Sequence, residues 1–151
     1  MARRKDGKPT TSTLLTMLNN ASKFQEAMVP PQNEQEPTFN NLLYDIMAEK
    51  KLSAKDMILR TGIERSYFYH ILNGTKHPGR NMVLRVAFSL GASLSETNHL
   101  LKLAGLSDLY PRIRRDAALI FCLQRKYTLS ATNDFLINEG EEPLYREDNN
   151  A

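Results

Sequence analysis

From residue 39 onward, apolar positions recur at helical spacing, and no segment alternates as a strand would. Phe39, Leu42, Leu43, Ile46 and Met47 fall at i, i+3, i+4, i+7 and i+8, the apolar stripe of an amphipathic helix. Ser53 followed three residues later by Asp56 resembles a capping box that opens a second helix, and Thr61-Gly62 should end it. A third helix is expected from near Glu64 to Asn73-Gly74. A fourth runs from about Arg80 to Leu90 with Val83, Leu84, Ala87 and Phe88 inward, and Ser93 with Glu96 caps a fifth, closed by Gly105. Ahead of these, Leu14, Leu15, Leu18, Phe24 and Met28 suit one helix or two short ones within 11–29. The stretch "PPQNEQEPT" then reads as a linker, with three prolines and no large hydrophobe. Residues 1–10 have no apolar period and read as a basic arm.

The pattern also repeats. "LSETNHLLKLAGLSDLY" (94–110) aligns without gaps on "LSATNDFLINEGEEPLY" (129–145), with identities that include Asn98/Asn133, Leu101/Leu136, Gly105/Gly140 and Tyr110/Tyr145. In the same register the Arg80–Leu90 helix falls on 115–125, so the unit is a helical hairpin used twice. One such hairpin cannot bury its apolar face alone, and packing the second copy on the first extends one core. The expected organisation is 1–37 arm, short helical segment and linker; 38–106 a first helical domain; 107–145 a second hairpin on the same core; and 146–151 an acidic tail.

Composition narrows the function without naming it. The 151 residues carry a net charge of +3, but residues 38–127 hold 14 Lys+Arg against 7 Asp+Glu, while residues 128–151 hold 1 against 6. A basic body with an acidic end makes a polyanionic partner plausible. No stretch approaches the roughly 18 unbroken apolar residues of a membrane span, so the expectation is a cytoplasmic protein with no membrane partner. Cys122, the single cysteine, lies in "AALIFCLQ" and reads as a buried small hydrophobe. There is no Gly-rich phosphate loop, GxSxG or HExxH, and His70, His77 and His99 lack ligand-spaced partners. Neither an enzyme, a cofactor nor a metal site is expected.

The most informative stretch is "SAKDMILRTGIERSYFYHILNGTKHP" (53–78). Two short helices joined at Gly62 share inward Met57, Ile58, Ile63, Phe68 and Ile71. At about 100° per residue, Arg65, Ser66, Tyr69, His70 and Asn73 then share the opposite face, with Tyr67 and Leu72 as core flank. That face is polar, aromatic and free of acid, and its side chains suit the edges of bases in a major groove.

These residues, with the Asn73-Gly74 stop, Pro78 and "LGASLSETNHLLKLAG", resemble the phage-repressor-type (Xre/Cro) helix-turn-helix family over about Phe39 to Gly105. The resemblance implies an all-α, five-helix λ-repressor-like domain, here extended by the repeated C-terminal hairpin and the N-terminal helical arm. It makes Arg65, Ser66, Tyr69 and His70 base-reading residues, and Ser53, Lys55, Asn73, Lys76 and Arg80 phosphate contacts. Two positions depart from the family pattern. Ile58 stands where a small residue is usual, and Glu64 opens the reading helix. Arg112, Arg114 and Arg115 either extend the phosphate surface or border their helix in water, the second being favoured.

The implied function is sequence-specific binding of double-stranded DNA by a transcriptional regulator. One such domain reads only a few base pairs, so a homodimer on two half-sites is expected. The alternative is a helical adaptor that holds a protein partner through the same aromatic face, residues 11–29 or the C-terminal hairpin.

Overall fold

Seven α-helices and no strand make up residues 37–146, the part of the chain that the structure, a computed structural model, describes. They are α1 (Phe39–Glu49), α2 (Ala54–Thr61), α3 (Arg65–Leu72), α4 (Arg80–Leu90), α5 (Leu94–Leu103), α6 (Arg114–Gln124) and α7 (Leu129–Asn138). The expected basic arm, the helical segment at 11–29, the linker up to residue 36, and residues 147–151 of the acidic tail lie outside the described residues. No helix among those described is long and apolar enough to cross a membrane.

Four of the seven helices start on a side-chain cap, and α2 and α4 stop at a left-handed glycine. Ser53 and Asp56 form a reciprocal capping box at α2, and Ser93 and Glu96 do the same at α5. Thr38 and Thr128 accept from the third residue of α1 and α7 through their side chains. Gly91 ends α4 in the left-handed region at φ 67°. At the matching place after α6 stands Lys126 at φ 58°, so the repeat keeps the turn geometry even where it has lost the glycine.

The first five helices close around Leu43, Met57, Phe68, Ile71, Leu84 and Leu100, each fully buried. Helix α1 packs on α3 and α5, while α2 packs on α3 and α4. Leu119, Cys122, Leu136 and Leu144 of the second hairpin continue the same apolar core. Burial pushes the Cys122 thiol above its ordinary range, which keeps it a neutral, space-filling side chain.

The two copies of the hairpin do not sit one behind the other. Helix α4 packs on α7, and α5 on α6, so each helix meets the non-equivalent helix of the other copy. Hydrogen bonds repeat with the same reciprocity. Arg80 donates to the carbonyls of Ser107 (2.7 Å) and Asp108 (3.4 Å), and reaches across to Asp116 at 2.9 Å. Its counterpart Arg115 donates to the carbonyls of Glu142 (2.9 Å) and Pro143 (3.4 Å), and reaches back to Asn81 at 2.9 Å. Asn81 and Asp116 are themselves equivalent in the repeat. When i of one copy touches j of the other and j touches i, the copies are related by an approximate two-fold axis. The asparagines obey the same register. Asn98 accepts from the Leu109 N–H at 3.0 Å, and Asn133 from the Leu144 N–H at 2.8 Å.

This arrangement gives Arg80 internal partners that its sequence neighbourhood did not suggest. Its guanidinium is engaged by three internal acceptors, one of them the nearly buried Asp116, while its side chain stays partly exposed. Arg114, with its side chain 67% exposed, borders its helix in water as expected, and both it and Arg115 also have partners there. Arg114 pairs with Glu139 and Glu141, each at 3.2 Å, and Arg115 closes the loop after α7. Of that group Arg112 and Arg114 are exposed, and Arg115 is partly buried.

Because Leu136 belongs to the shared core, Leu136→Ala should cost about 2–5 kcal/mol and lower the melting temperature of the whole body in one transition. Differential scanning calorimetry checks this. Two transitions, the first unmoved by the substitution, would mean the second hairpin folds apart from the first.

Candidate nucleic-acid interface

The site is built on the turn between α2 and α3. Gly62 takes φ 68°, a left-handed conformation that costs other residues about 1–2 kcal/mol, and its N–H closes on the Ile58 carbonyl at 3.1 Å. Thr61, almost fully buried, accepts the Ile63 N–H on its hydroxyl at 3.1 Å. From α4, Arg85 donates through Nε to the Thr61 carbonyl at 2.8 Å. The turn is therefore held by its own backbone, by one side chain, and by a strut from the helix behind it.

That turn sets the roll of α3. Phe68 and Ile71 are fully buried and Leu72 is 2% exposed, which leaves Arg65, Ser66, Tyr69, His70 and Asn73 on the surface. The five side chains share one face, as helical spacing requires. Tyr67 is half-buried at its edge. The Arg65 guanidinium lies 5.7 Å from the centre of the Tyr69 ring, a cation–π contact one turn apart that holds both side chains along the helix.

The remaining candidates divide by what already occupies them. Ser66 donates to the Glu64 carboxylate at 2.5 Å, so the acid at the start of α3 is tied to its neighbour. Asn73 accepts the Thr75 N–H on Oδ1 at 2.9 Å, and the Lys76 N–H closes on the His70 carbonyl at 3.0 Å. The loop after α3 is thus folded back on the helix, with the Lys76 side chain exposed beside it. At the start of α2, Ser53 serves as the cap and Lys55 is exposed. Hydrogen bonds from the Ser53 backbone and hydroxyl, helped by Arg60 and Lys55, hold the Asp56 carboxyl below its ordinary value. That charge is turned to the helix end. Arg80 alone among the nine candidates is drawn away, into the contact between the hairpins.

Sequence reasoning missed Arg85. It falls in the inward-facing helix α4 and carries no motif, and its partner is a backbone carbonyl that no sequence pattern marks. Among the described residues, no group of three or more His, Cys, Asp or Glu is placed to hold a metal ion.

Gly62→Ala should lower stability by about 1–2 kcal/mol through backbone strain, since an added Cβ would meet only the flexible end of Arg85 at 3.4 Å. A urea melt should show a lower midpoint with an unchanged slope. An unchanged midpoint would show that the turn does not need the left-handed conformation.

Comparison with protein-family models, curated proteins and solved structures finds no match to this chain.

Proposed function

We propose that residues 38–106 form a λ-repressor-like helix-turn-helix domain of the phage-repressor type, and that the chain is a sequence-specific double-stranded DNA-binding regulator. One observation carries the reading. The face of α3 opposite Phe68 and Ile71 presents Arg65, Ser66, Tyr69, His70 and Asn73 together, with Lys76 in the loop that follows and Glu64 tied to Ser66.

In this reading the N-terminal half of α3 enters the major groove. Arg65 offers a forked pair of donors to the acceptor edge of guanine, and Ser66 and His70 reach neighbouring base edges. Tyr69 packs its ring against thymine methyl or sugar while its contact with Arg65 restricts both rotamers. Lys76, Lys55 and the free polar atoms of Asn73 and Ser53 contact the phosphates on either side. Two copies of the chain then place their α3 helices about 34 Å, or a multiple of that, apart on one side of the duplex.

Substitution separates the roles. Arg65→Ala should cost about 1–3 kcal/mol on a preferred duplex and relax sequence preference, whereas Lys76→Ala should weaken all sequences alike and reduce the salt slope by about one. Arg80→Ala should lower the melting temperature yet leave the salt slope unchanged, because its partners are internal. Fluorescence anisotropy on a selected and a random duplex, each at several salt concentrations, reads all three. If duplex affinity is negligible throughout and Tyr69→Ala is the costly change in capture of a protein partner, the adaptor reading replaces this one.

A further inference from the structure

We propose that the cleft between the α2–α3 turn and the second hairpin is a binding site for a small organic phosphate monoester. The cleft encloses about 600 Å3, within the range of small-molecule sites. One wall is the end of α2, with Leu59, Arg60 and Gly62. The other is the first turn of α7, with Leu129 and Ser130, together with Tyr145 and Arg146. Arg85 joins them, donating to the Thr61 carbonyl at 2.8 Å and lying 4.9 Å from the centre of the Tyr145 ring.

Among the described residues, three guanidinium groups line this space, and no carboxylate does. Arg60 spends Nη1 on the Ser89 carbonyl at 3.2 Å, and Arg146 spends Nη2 on Glu142 at 2.7 Å, which leaves donors over on both. Arg85 is half-buried and uses only Nε, so neither of its Nη groups has a hydrogen-bond partner among the described residues. A guanidinium partly stripped of water without an anion is unfavourable, and an acceptor that takes both Nη groups relieves it. Partial burial lowers the Arg85 pKa in keeping with that, while the group stays charged.

The form of the ligand follows from the walls. A phosphate monoester carries close to two negative charges and three acceptor oxygens, which suits three arginines and the Ser130 hydroxyl better than a single carboxylate does. The positive end of α7 adds to the same preference. Leu59, 74% exposed, and Leu129 give the body of the ligand apolar surface, and the volume is far larger than a phosphate group needs. Thr61 and Arg85 also hold the turn that aims α3, so an occupied cleft should change duplex affinity. That last consequence rests on the DNA-binding reading; the site itself does not.

Titration calorimetry of the full chain with phenyl phosphate, with no DNA present, tests the site. Saturable binding at one site is expected, weakened about tenfold or more by Arg85→Gln. Arg146→Gln, at a side chain 75% exposed that no fold requirement holds, should weaken it severalfold, so the test stands even if the Arg85 variant fails to fold. Arg112→Ala, at an exposed arginine that does not line the cleft, should leave it unchanged. Absence of saturable binding, wild-type affinity in both the Arg85 and Arg146 variants, or benzoate binding as tightly as phenyl phosphate would each overturn the proposal. Phenyl phosphate binding in a chain with no duplex affinity would leave the site standing and remove the DNA reading.

Discussion

Burial of Phe68 and Ile71 is the constraint on which the rest depends. An α-helix of two turns has no freedom to choose its outward face once two inward positions are fixed. With those two side chains in the core beside Met57 and Leu84, Arg65, Ser66, Tyr69, His70 and Asn73 have nowhere to go but solvent. The polar face of α3 is thus a consequence of packing, and the turn at Gly62, strutted by Arg85, keeps the helix from rolling.

The second hairpin supports that arrangement from behind, through contacts that resemble a dimer interface folded into one chain. Arg80 and Arg115 clamp the equivalent loops of their own copies and reach reciprocal partners across. The copies differ where their surroundings differ. Val86, Ala92 and Leu100 are almost fully buried in the first copy, which has α1 and α2 packed on it. At the matching positions the second copy has Phe121, Tyr127 and Phe135, all only partly buried. The three rings pack on one another, Phe121 and Phe135 stacked at 5.1 Å and Tyr127 edge-on to both, and Arg125 lies 3.4 Å over Phe121. Large rings that cover each other replace small side chains that other helices cover.

Much of this was legible in the residues, and the exceptions have a common cause. Ser53 with Asp56, Ser93 with Glu96, and Gly62 mark helix ends because caps and left-handed turns are local requirements. The outward face of α3 was legible because periodicity alone decides it. The repeat announced two like hairpins, but not the axis relating them, since helix-on-helix pairing is set by surfaces far apart in sequence. The internal partners of Arg80 were hidden for that reason. At the start of a helix after a basic loop it looks like a phosphate ligand, and only the two-fold arrangement brings Asp116 to it. Arg85 escaped notice likewise, because its acceptor is the backbone of a turn on another helix.

The most direct test of the central claim is an NMR titration of the isotope-labelled full chain with double-stranded DNA, following each backbone amide. If α3 reads the duplex, the shifts concentrate on Arg65 to Asn73, Lys76 and Lys55, while Phe121, Phe135 and Ile137 on the second hairpin stay still. Shifts confined to the second hairpin, or none at all on adding duplex, would contradict it.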